Sequence, residues 1–160
     1  MDVSTPSFRA LVLIDCFGAQ SFKEPFKVVE FYHRLVMFTR QLPIELVFDN
    51  VKEKSISVLR SAYPNAICGG AEIVEKYVET GKNILVGGCE WGECTHYGHQ
   101  SFEVLYQLDY NVFTHPDILF TDTPNFHQVV FEDFENDRYI KSYRHRVWKK
   151  VGNFYQYITK

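Results

Sequence analysis

Short apolar runs alternate with segments of helical periodicity along most of this sequence, and this alternation restricts the fold more than any other feature. The runs are brief and rich in branched side chains, which is typical of buried strands in a parallel sheet. The sequence predicts five such strands and a sixth at a sheet edge: residues 8–14, 44–49, 66–68, 83–87 and 111–114, with 128–132 as the edge strand.

Helical patterns separate these runs. Residues 25–42 place Val28, Phe31, Leu35 and Phe38 on one face at intervals of three or four, and Pro25 stands at the start, where its missing N–H does no harm. Shorter helices are predicted for residues 55–63, 71–81 and 94–108. The alternation therefore predicts an α/β fold: a doubly wound, mostly parallel sheet of about five to six strands with helices on both faces.

Composition favours a packed cytoplasmic domain. The chain has 160 residues, of which 46% are hydrophobic and 23% charged, so a well-filled core is expected. Neither a secretory leader nor a run long enough to span a bilayer is visible. The four cysteines, Cys16, Cys68, Cys89 and Cys94, lack disulfide-framework spacing, which indicates a reducing, cytoplasmic location.

The last residues differ from the rest in charge. From Arg138 onward there are seven basic and no acidic side chains, although the net charge of the chain is −3. An apolar stripe at helical spacing predicts a basic, aromatic C-terminal helix. We therefore divide the chain into an α/β domain, residues 1–137, and a tail, residues 138–160, that docks or dimerises. Interleaved basic and aromatic side chains leave nucleic-acid binding open as an alternative partner interaction.

Polar side chains at strand ends indicate where chemistry would occur, because ligands of such sheets bind beyond the carboxyl ends of the strands. Asp15 follows the first strand. Cys94 follows residues 83–87 by a few positions, at the predicted N-terminus of a helix, where the dipole favours a thiolate. A carboxylate beside this thiol can accept its proton. Asp15 and Cys94 are thus the predicted catalytic residues.

A metal site is a weaker interpretation of the same segment. The spacing of Cys89, Cys94, His96 and His99 does not match a zinc finger, so we predict neither a metal nor another cofactor. A different alternative is a metal-dependent nuclease of a PIN-like kind. Its Mg²⁺ would be held by strand-end carboxylates, namely Asp15, Glu90 or Glu93, and Asp117.

Two stretches resemble isochorismatase-like cysteine hydrolases: "ALVLIDCFGAQ" and "NILVGGCEWGECTHYGHQSFEVLYQLDYNVFTHPDILF". The first resembles the family strand that ends in the catalytic aspartate. In the second, Gly88 and Cys94 have the family's separation between a glycine and the nucleophile. The resemblance implies that Asp15 is the general base, that Cys94 is the nucleophile, and that Glu93 and Cys94 N–H groups hold the oxyanion. It also implies a cis peptide bond between Cys89 and Glu90.

One family feature is missing. The family's catalytic lysine follows the third strand, where this chain has "AICGGAE", and only Lys52 and Lys54 stand near. We therefore predict a hydrolase of small-molecule C–N or acyl-type bonds, with activity weakened or lost. Cys89, Glu90, Trp91 and Glu93 are expected to bind the substrate. The alternative is a non-catalytic binding or assembly protein on the same fold, and the aromatic content favours a homo-oligomer.

Overall fold

The computed structural model describes residues 5–69, 71–91, 95, 102–136 and 146–159. Within them a single mixed sheet runs through the centre of the protein. Its strands are β1 (Ala10–Ile14), β2 (Leu46–Asp49), β3 (Asn83–Cys89), β4 (Asn111–Thr114), β5 (Leu119–Phe120), β6 (Arg146–Val151) and β7 (Phe154–Thr159). The helices are α1 (Pro25–Thr39), α2 (Ser57–Ala62), α3 (Ala71–Tyr77), α4 (Phe102–Gln107) and α5 (Phe126–Asn136).

The strand order is β2-β1-β3-β4-β7-β6, and the two-residue strand β5 pairs with β3. All pairs among β1 to β5 are parallel, whereas β7 pairs antiparallel with β4 and β6. The predicted α/β class and the mostly parallel sheet are therefore confirmed. The strand order reverses between β1 and β3, which makes the crevice at their carboxyl ends the preferred ligand site of such a fold.

Each face of the sheet buries its own apolar cluster. On one face, Leu11 and Leu13 of β1 contact α1 and α2, whose buried side chains include Phe31, Leu35 and Leu59. The opposite cluster combines alternate residues of the same strands with buried side chains of α3, α4 and α5: Ala10, Val12, Ile84, Val86, Val74, Phe102, Leu105, Val130 and Phe134. Helices on both faces are thus confirmed. The strands are buried on both sides, which explains their nearly continuous apolar sequences.

Gly88 allows β1 and β3 to approach closely. Its φ is 122°, and a Cβ at this position would meet the Ile14 carbonyl oxygen at 2.2 Å. Ile14 and Gly88 are the last paired residues of the two strands. The carboxyl ends of β1 and β3 can therefore lie side by side only because residue 88 has no side chain.

Three predicted elements are wrong or reduced. The predicted edge strand 128–132 lies inside α5, because Phe126, Val130 and Phe134 recur at intervals of four and are all buried. The predicted strand 66–68 contributes a single bridge, between Ile67 and Phe48. The first apolar run of the sequence shortens at its start, since β1 begins at Ala10.

The predicted C-terminal helix is also wrong where the structure describes it. Residues 146–159 form a β-hairpin, and β7 completes the sheet beside β4. Gly152 supplies a φ of 62° at the turn between β6 and β7, a conformation that favours glycine. The branched and aromatic residues on both sides of this turn pair across the hairpin, and this pairing favours two strands over a helix. Residues 138–145 and 160 of the tail lie outside the described residues.

The helices in the part of the chain described are all too short or too polar to cross a membrane.

Candidate active site

Asp15 lies at the carboxyl end of β1, beside the switch point of the sheet. Its φ is 50°, a left-handed value that is uncommon outside glycine but tolerated by aspartate. The Asp15 N–H donates to Asn50 Oδ1 over 2.8 Å, and Asn50 Nδ2 donates to Asp15 Oδ1 over 2.8 Å. This reciprocal pair fixes both the backbone and the carboxylate of Asp15 against the end of β2.

Asn50 is a residue whose role the sequence analysis missed. It follows β2, which is the other neighbour of β1, and its backbone N–H donates to the Leu13 carbonyl over 3.4 Å. The preceding residue, Asp49, is buried and accepts from the Val51 N–H over 3.1 Å. Burial raises the pKa of Asp49, and hydrogen bonds from Val51 and Ser55 partly oppose this rise. The Asn50 backbone is thus bonded to β1, and the preceding residue, Asp49, is fixed as well, so the Asn50 side chain can orient Asp15.

The end of β3 forms the other wall of the crevice. The peptide bond between Cys89 and Glu90 is cis, at the position that the family resemblance implies. The Thr95 N–H and hydroxyl both contact the Glu90 carbonyl, at 3.3 and 2.9 Å. The chain therefore returns to the end of β3 at Thr95, the residue that follows Cys94 in sequence. Glu93 and Cys94 themselves lie outside the described residues.

Two thiols are buried near the carboxyl ends of β1 and β3. Cys16 and Cys89 have less than 2% of their surface exposed, and the Cys89 Sγ lies 3.8 Å from the Tyr32 hydroxyl. Burial raises the pKa of Cys16 well above its usual range, and a hydrogen bond with Cys89 raises it further. Burial raises the Tyr32 pKa as well. Because only a thiolate is an effective nucleophile, Cys16 is unsuited to catalysis.

Trp91, which the sequence analysis assigned to substrate binding, packs in the core. It is 4% exposed, its Nε1 donates to Asp133 Oδ2 over 3.0 Å, and its ring lies 4.7 Å from that of Phe134. Cys89 is equally enclosed, whereas Glu90 is half-buried. Of the four predicted substrate-binding residues, the described part of the chain leaves only Glu90 at the crevice with solvent access.

Neither candidate lysine is bonded to Asp15. The Lys52 ammonium donates to the Ala66 carbonyl and, over 3.3 Å, to the Pro64 carbonyl. Lys54 lines a separate surface cleft together with Arg60 and Ser57. Within the described ranges, no basic side chain forms a salt bridge with Asp15. Asn50 is the polar side chain that contacts its carboxylate there.

The described residues give no support to a metal-dependent nuclease. They contain no group of three or more His, Cys, Asp or Glu side chains arranged to hold a metal ion. Asp117, one carboxylate of that hypothesis, contacts His127 at 2.6 Å and not Asp15. A carboxylate pair around Mg²⁺ is therefore not assembled from Asp15 and Asp117.

Comparisons with known proteins show a similarity of fold to two solved structures. No family model matches the sequence, and the search of curated proteins gives no match. YcaC from Pseudomonas aeruginosa, solved with hexane-2,5-diol and covalent acrylamide, is 14% identical, with a TM-score of 0.51 over 82% of this chain and 72% of that chain. The YcaC gene product from Escherichia coli, an octameric hydrolase of unknown specificity, is 14% identical, with a TM-score of 0.50 over 86% of this chain and 74% of that chain.

The likeness to both proteins establishes the fold: this chain has an α/β architecture like that of the two YcaC proteins. At 14% identity it does not extend to an activity or a substrate.

Proposed function

We propose that this protein is an isochorismatase-like cysteine hydrolase acting on a small-molecule C–N or acyl-type bond. The observation that carries the proposal is the fixed position of Asp15, which two hydrogen bonds with Asn50 hold at the switch point between β1 and β3. The fold shared with an octameric hydrolase supports it. Assembly of several copies of this chain is part of the proposal.

In the proposed reaction Asp15 accepts the proton of the Cys94 thiol, and the thiolate attacks the substrate carbonyl carbon. The C–N bond of the resulting tetrahedral intermediate breaks, the amine leaves with a proton from Asp15, and water then releases the acid from the enzyme. The Glu93 and Cys94 N–H groups are the proposed donors to the oxyanion. Asn50 acts here as a positioning residue for Asp15.

The described residues place no cation beside Asp15, and this implies that the proposed hydrolysis is slow. A carboxylate and a thiolate in one site repel each other, so each resists ionisation beside the other. Asn50 orients the carboxylate but supplies no net charge. We therefore expect weak amidase activity that depends on basic residues of the tail beyond residue 137.

The test is a screen of small primary amides with the full-length protein, measuring ammonia release. We expect slow turnover by the wild type, none above background with Cys94→Ser, and unchanged turnover with Cys68→Ser, because Cys68 is an exposed thiol outside the proposed chemistry. In parallel, acrylamide adducts are mapped by mass spectrometry, and Cys94 should react before the buried Cys16. Equal labelling of Cys16 and Cys94, or turnover that survives Cys94→Ser, would contradict the proposal.

A further inference from the structure

A second cleft lies away from Asp15, on the far side of β4. It has a volume of about 260 Å³ and is formed by three elements: the turn after β4, one face of α5 and the tip of the β6–β7 hairpin. Titratable and aromatic side chains from all three converge on it, including Asp117, His127, Phe131, Glu135, Lys150 and Tyr155. The proposed hydrolase chemistry uses none of these residues.

A carboxylate and an imidazole form the polar end of this cleft. His127 Nε2 lies 2.6 Å from Asp117 Oδ1, so the imidazole directs its N–H toward the carboxylate. The Asp117 N–H donates to His115 Nδ1 over 3.0 Å, and the His115 ring packs 4.4 Å from the Phe38 ring. Asp117 is thus held in place from behind. His127 remains 42% exposed, and its Nδ1 has no hydrogen-bond partner among the described residues.

A cation and two rings form the rest of the cleft. Lys150 is exposed and makes no salt bridge within the described ranges. Tyr155 is its cross-strand neighbour and stacks on Phe134 with 4.4 Å between the ring centres. Phe131 is four residues from His127 on α5 and is 48% exposed, which is unusual for so large an apolar side chain. The cleft therefore offers an ammonium group, apolar ring surfaces and an imidazole acceptor.

Glu135 also lines the cleft, but within the described ranges it forms no salt bridge with Lys150. It interacts with the Tyr155 side chain: burial raises the pKa of Tyr155, and the charge of Glu135 and its hydrogen bond to Tyr155 raise it further. Asp117 is likewise occupied by His127. The two acidic side chains thus have partners within the cleft, whereas the ammonium group of Lys150 and the His127 Nδ1 remain available to a ligand.

We propose that this cleft binds a small aromatic acid that also carries a hydrogen-bond donor. Lys150 would bind the carboxylate, Phe131 and Tyr155 would contact the flat ring, and His127 Nδ1 would accept from the donor. The charge-assisted contact to Lys150 supplies most of the affinity, because an ionised pair is stronger than a neutral hydrogen bond. The site is independent of the hydrolase proposal and stands or fails separately from it.

The test is an NMR titration of the ¹⁵N-labelled full-length protein with three probes: 4-aminobenzoate, benzoate, which lacks the donor, and 4-aminobenzamide, which lacks the charge. We expect saturable shifts of cleft amides, with 4-aminobenzoate binding best. Lys150→Ala should weaken its binding about tenfold or more, the usual effect of losing a hydrogen bond to a charged group. Lys149→Ala is the matched control, because adjacent residues of a strand face opposite sides, and it should leave binding unchanged.

His127→Ala should bind 4-aminobenzoate and benzoate equally, since the acceptor that distinguishes them is lost. Three results would each overturn the proposal: no saturable shift of cleft amides with any probe, equal affinity for 4-aminobenzamide and 4-aminobenzoate, or an equal effect of Lys149→Ala and Lys150→Ala. Unchanged spectra outside the cleft confirm that each variant is folded.

Discussion

Two aspartates follow strands of the same sheet, and their surroundings differ. Asp15, after β1, is held by a neutral amide through two hydrogen bonds of 2.8 Å, and Asn50 itself is fixed to the sheet. Asp117, after β4, is held by an imidazole at 2.6 Å, and that imidazole is 42% exposed. The first carboxylate is positioned by a residue that is fixed to the sheet, whereas the second is positioned by a half-exposed side chain of α5.

Each arrangement fits the role proposed for it. The neutral Asn50 amide orients Asp15 without changing its own charge, as the proposed role of Asp15 as a general base requires. The half-exposed partner of Asp117, His127, lines a cleft where a ligand can reach it. We therefore expect changes near Asp15 to affect stability and chemistry strongly, and changes near Asp117 to affect mainly binding. Four predictions test this comparison.

The largest effect is expected from Gly88→Ala. The new Cβ would meet the Ile14 carbonyl oxygen at 2.2 Å, and the φ of 122° disfavours any side chain. Separating the ends of β1 and β3 should lower the free energy of unfolding by about 3 kcal/mol or more, measured by urea denaturation. Gly81→Ala is the control, because its φ is also positive but, apart from its chain neighbours, none of the described residues has an atom within 4 Å of a Cβ there. Equal losses in the two variants would show that β1 and β3 do not need the close contact.

The second effect is expected from Asn50→Ala. This substitution removes both hydrogen bonds to Asp15 and should lower the free energy of unfolding by about 1–3 kcal/mol. Any amidase turnover should fall as well, since Asp15 loses its orientation. The matched control is Asn111→Ala, which also removes two side-chain hydrogen bonds, at 2.9 and 3.1 Å, but on an exposed residue at the opposite end of the sheet. If both variants retain full turnover, Asn50 is not a positioning residue.

The third effect is a dependence of stability on pH that arises at His115. Burial lowers the pKa of His115, the nearby His127 lowers it further, and Asp117 opposes both. The unfolded chain therefore binds a proton near pH 6.5, before the folded protein does, and stability falls as the pH drops below that value. The contribution of one group cannot exceed about 1.4 kcal/mol per pH unit.

Urea denaturation at pH 7 and pH 5 checks this dependence. His115→Phe keeps the ring contacts with Phe38 and Phe154 but removes the titrating group, so its loss of stability on acidification should be smaller than that of the wild type. His33→Gln, on the exposed face of α1, should behave as the wild type. If His115→Phe lost as much free energy of unfolding between pH 7 and pH 5 as the wild type, the pH dependence would arise from other groups.

The smallest effect on stability is expected from Asp117→Asn. Its pair with His127 is 35% and 42% exposed, and pairs of this exposure contribute less than about 1 kcal/mol. The midpoint temperature of thermal unfolding should therefore shift little, whereas the affinity of the second cleft for 4-aminobenzoate should change. If Asp117→Asn lowered the free energy of unfolding more than Asn50→Ala does, the comparison would be reversed, because the stronger structural constraint would then lie at Asp117.

The parallel part of the sheet was predictable because its strands carry a strong local pattern. β1, β2, β3 and β4 are short, branched and buried on both faces, and α1 separates them with a clear apolar stripe. The two stretches that carry the family resemblance contain β1 and β3, and these two strands pair directly with each other. In this region each local preference agrees with the tertiary arrangement.

The errors occurred where one pattern fits two structures. Residues 128–132 resemble a strand when considered alone, and only the wider interval from Phe126 to Phe134 reveals the helix. In the tail, Val147, Val151 and Phe154 satisfy helical spacing as well as strand alternation. The Gly152-Asn153 turn was the feature that could have decided for a hairpin, since a two-residue Gly-containing loop between β-forming runs is a hairpin pattern.

The role of Asn50 could not be predicted from a local pattern, because its partner lies 35 residues away. The resemblance placed Asp15 at a strand end. It did not indicate which side chain would contact Asp15 in place of the missing family lysine. The information was nevertheless present once the strand order was fixed. The residue after β2 necessarily lies beside the residue after β1, because parallel neighbours end at the same edge of a sheet.

The position of β7 has a consequence for synthesis of the chain on the ribosome. β4 pairs on one side with β3, which precedes it, and on the other with β7, whose first residue is Phe154. Until residues 154–159 have emerged, the edge of β4 is open, and Phe8 and Phe113 lack the ring of Phe154 that packs on Phe8. The nascent parallel sheet therefore presents an unpaired strand edge beside exposed aromatic rings, and we expect it to need protection from aggregation during translation.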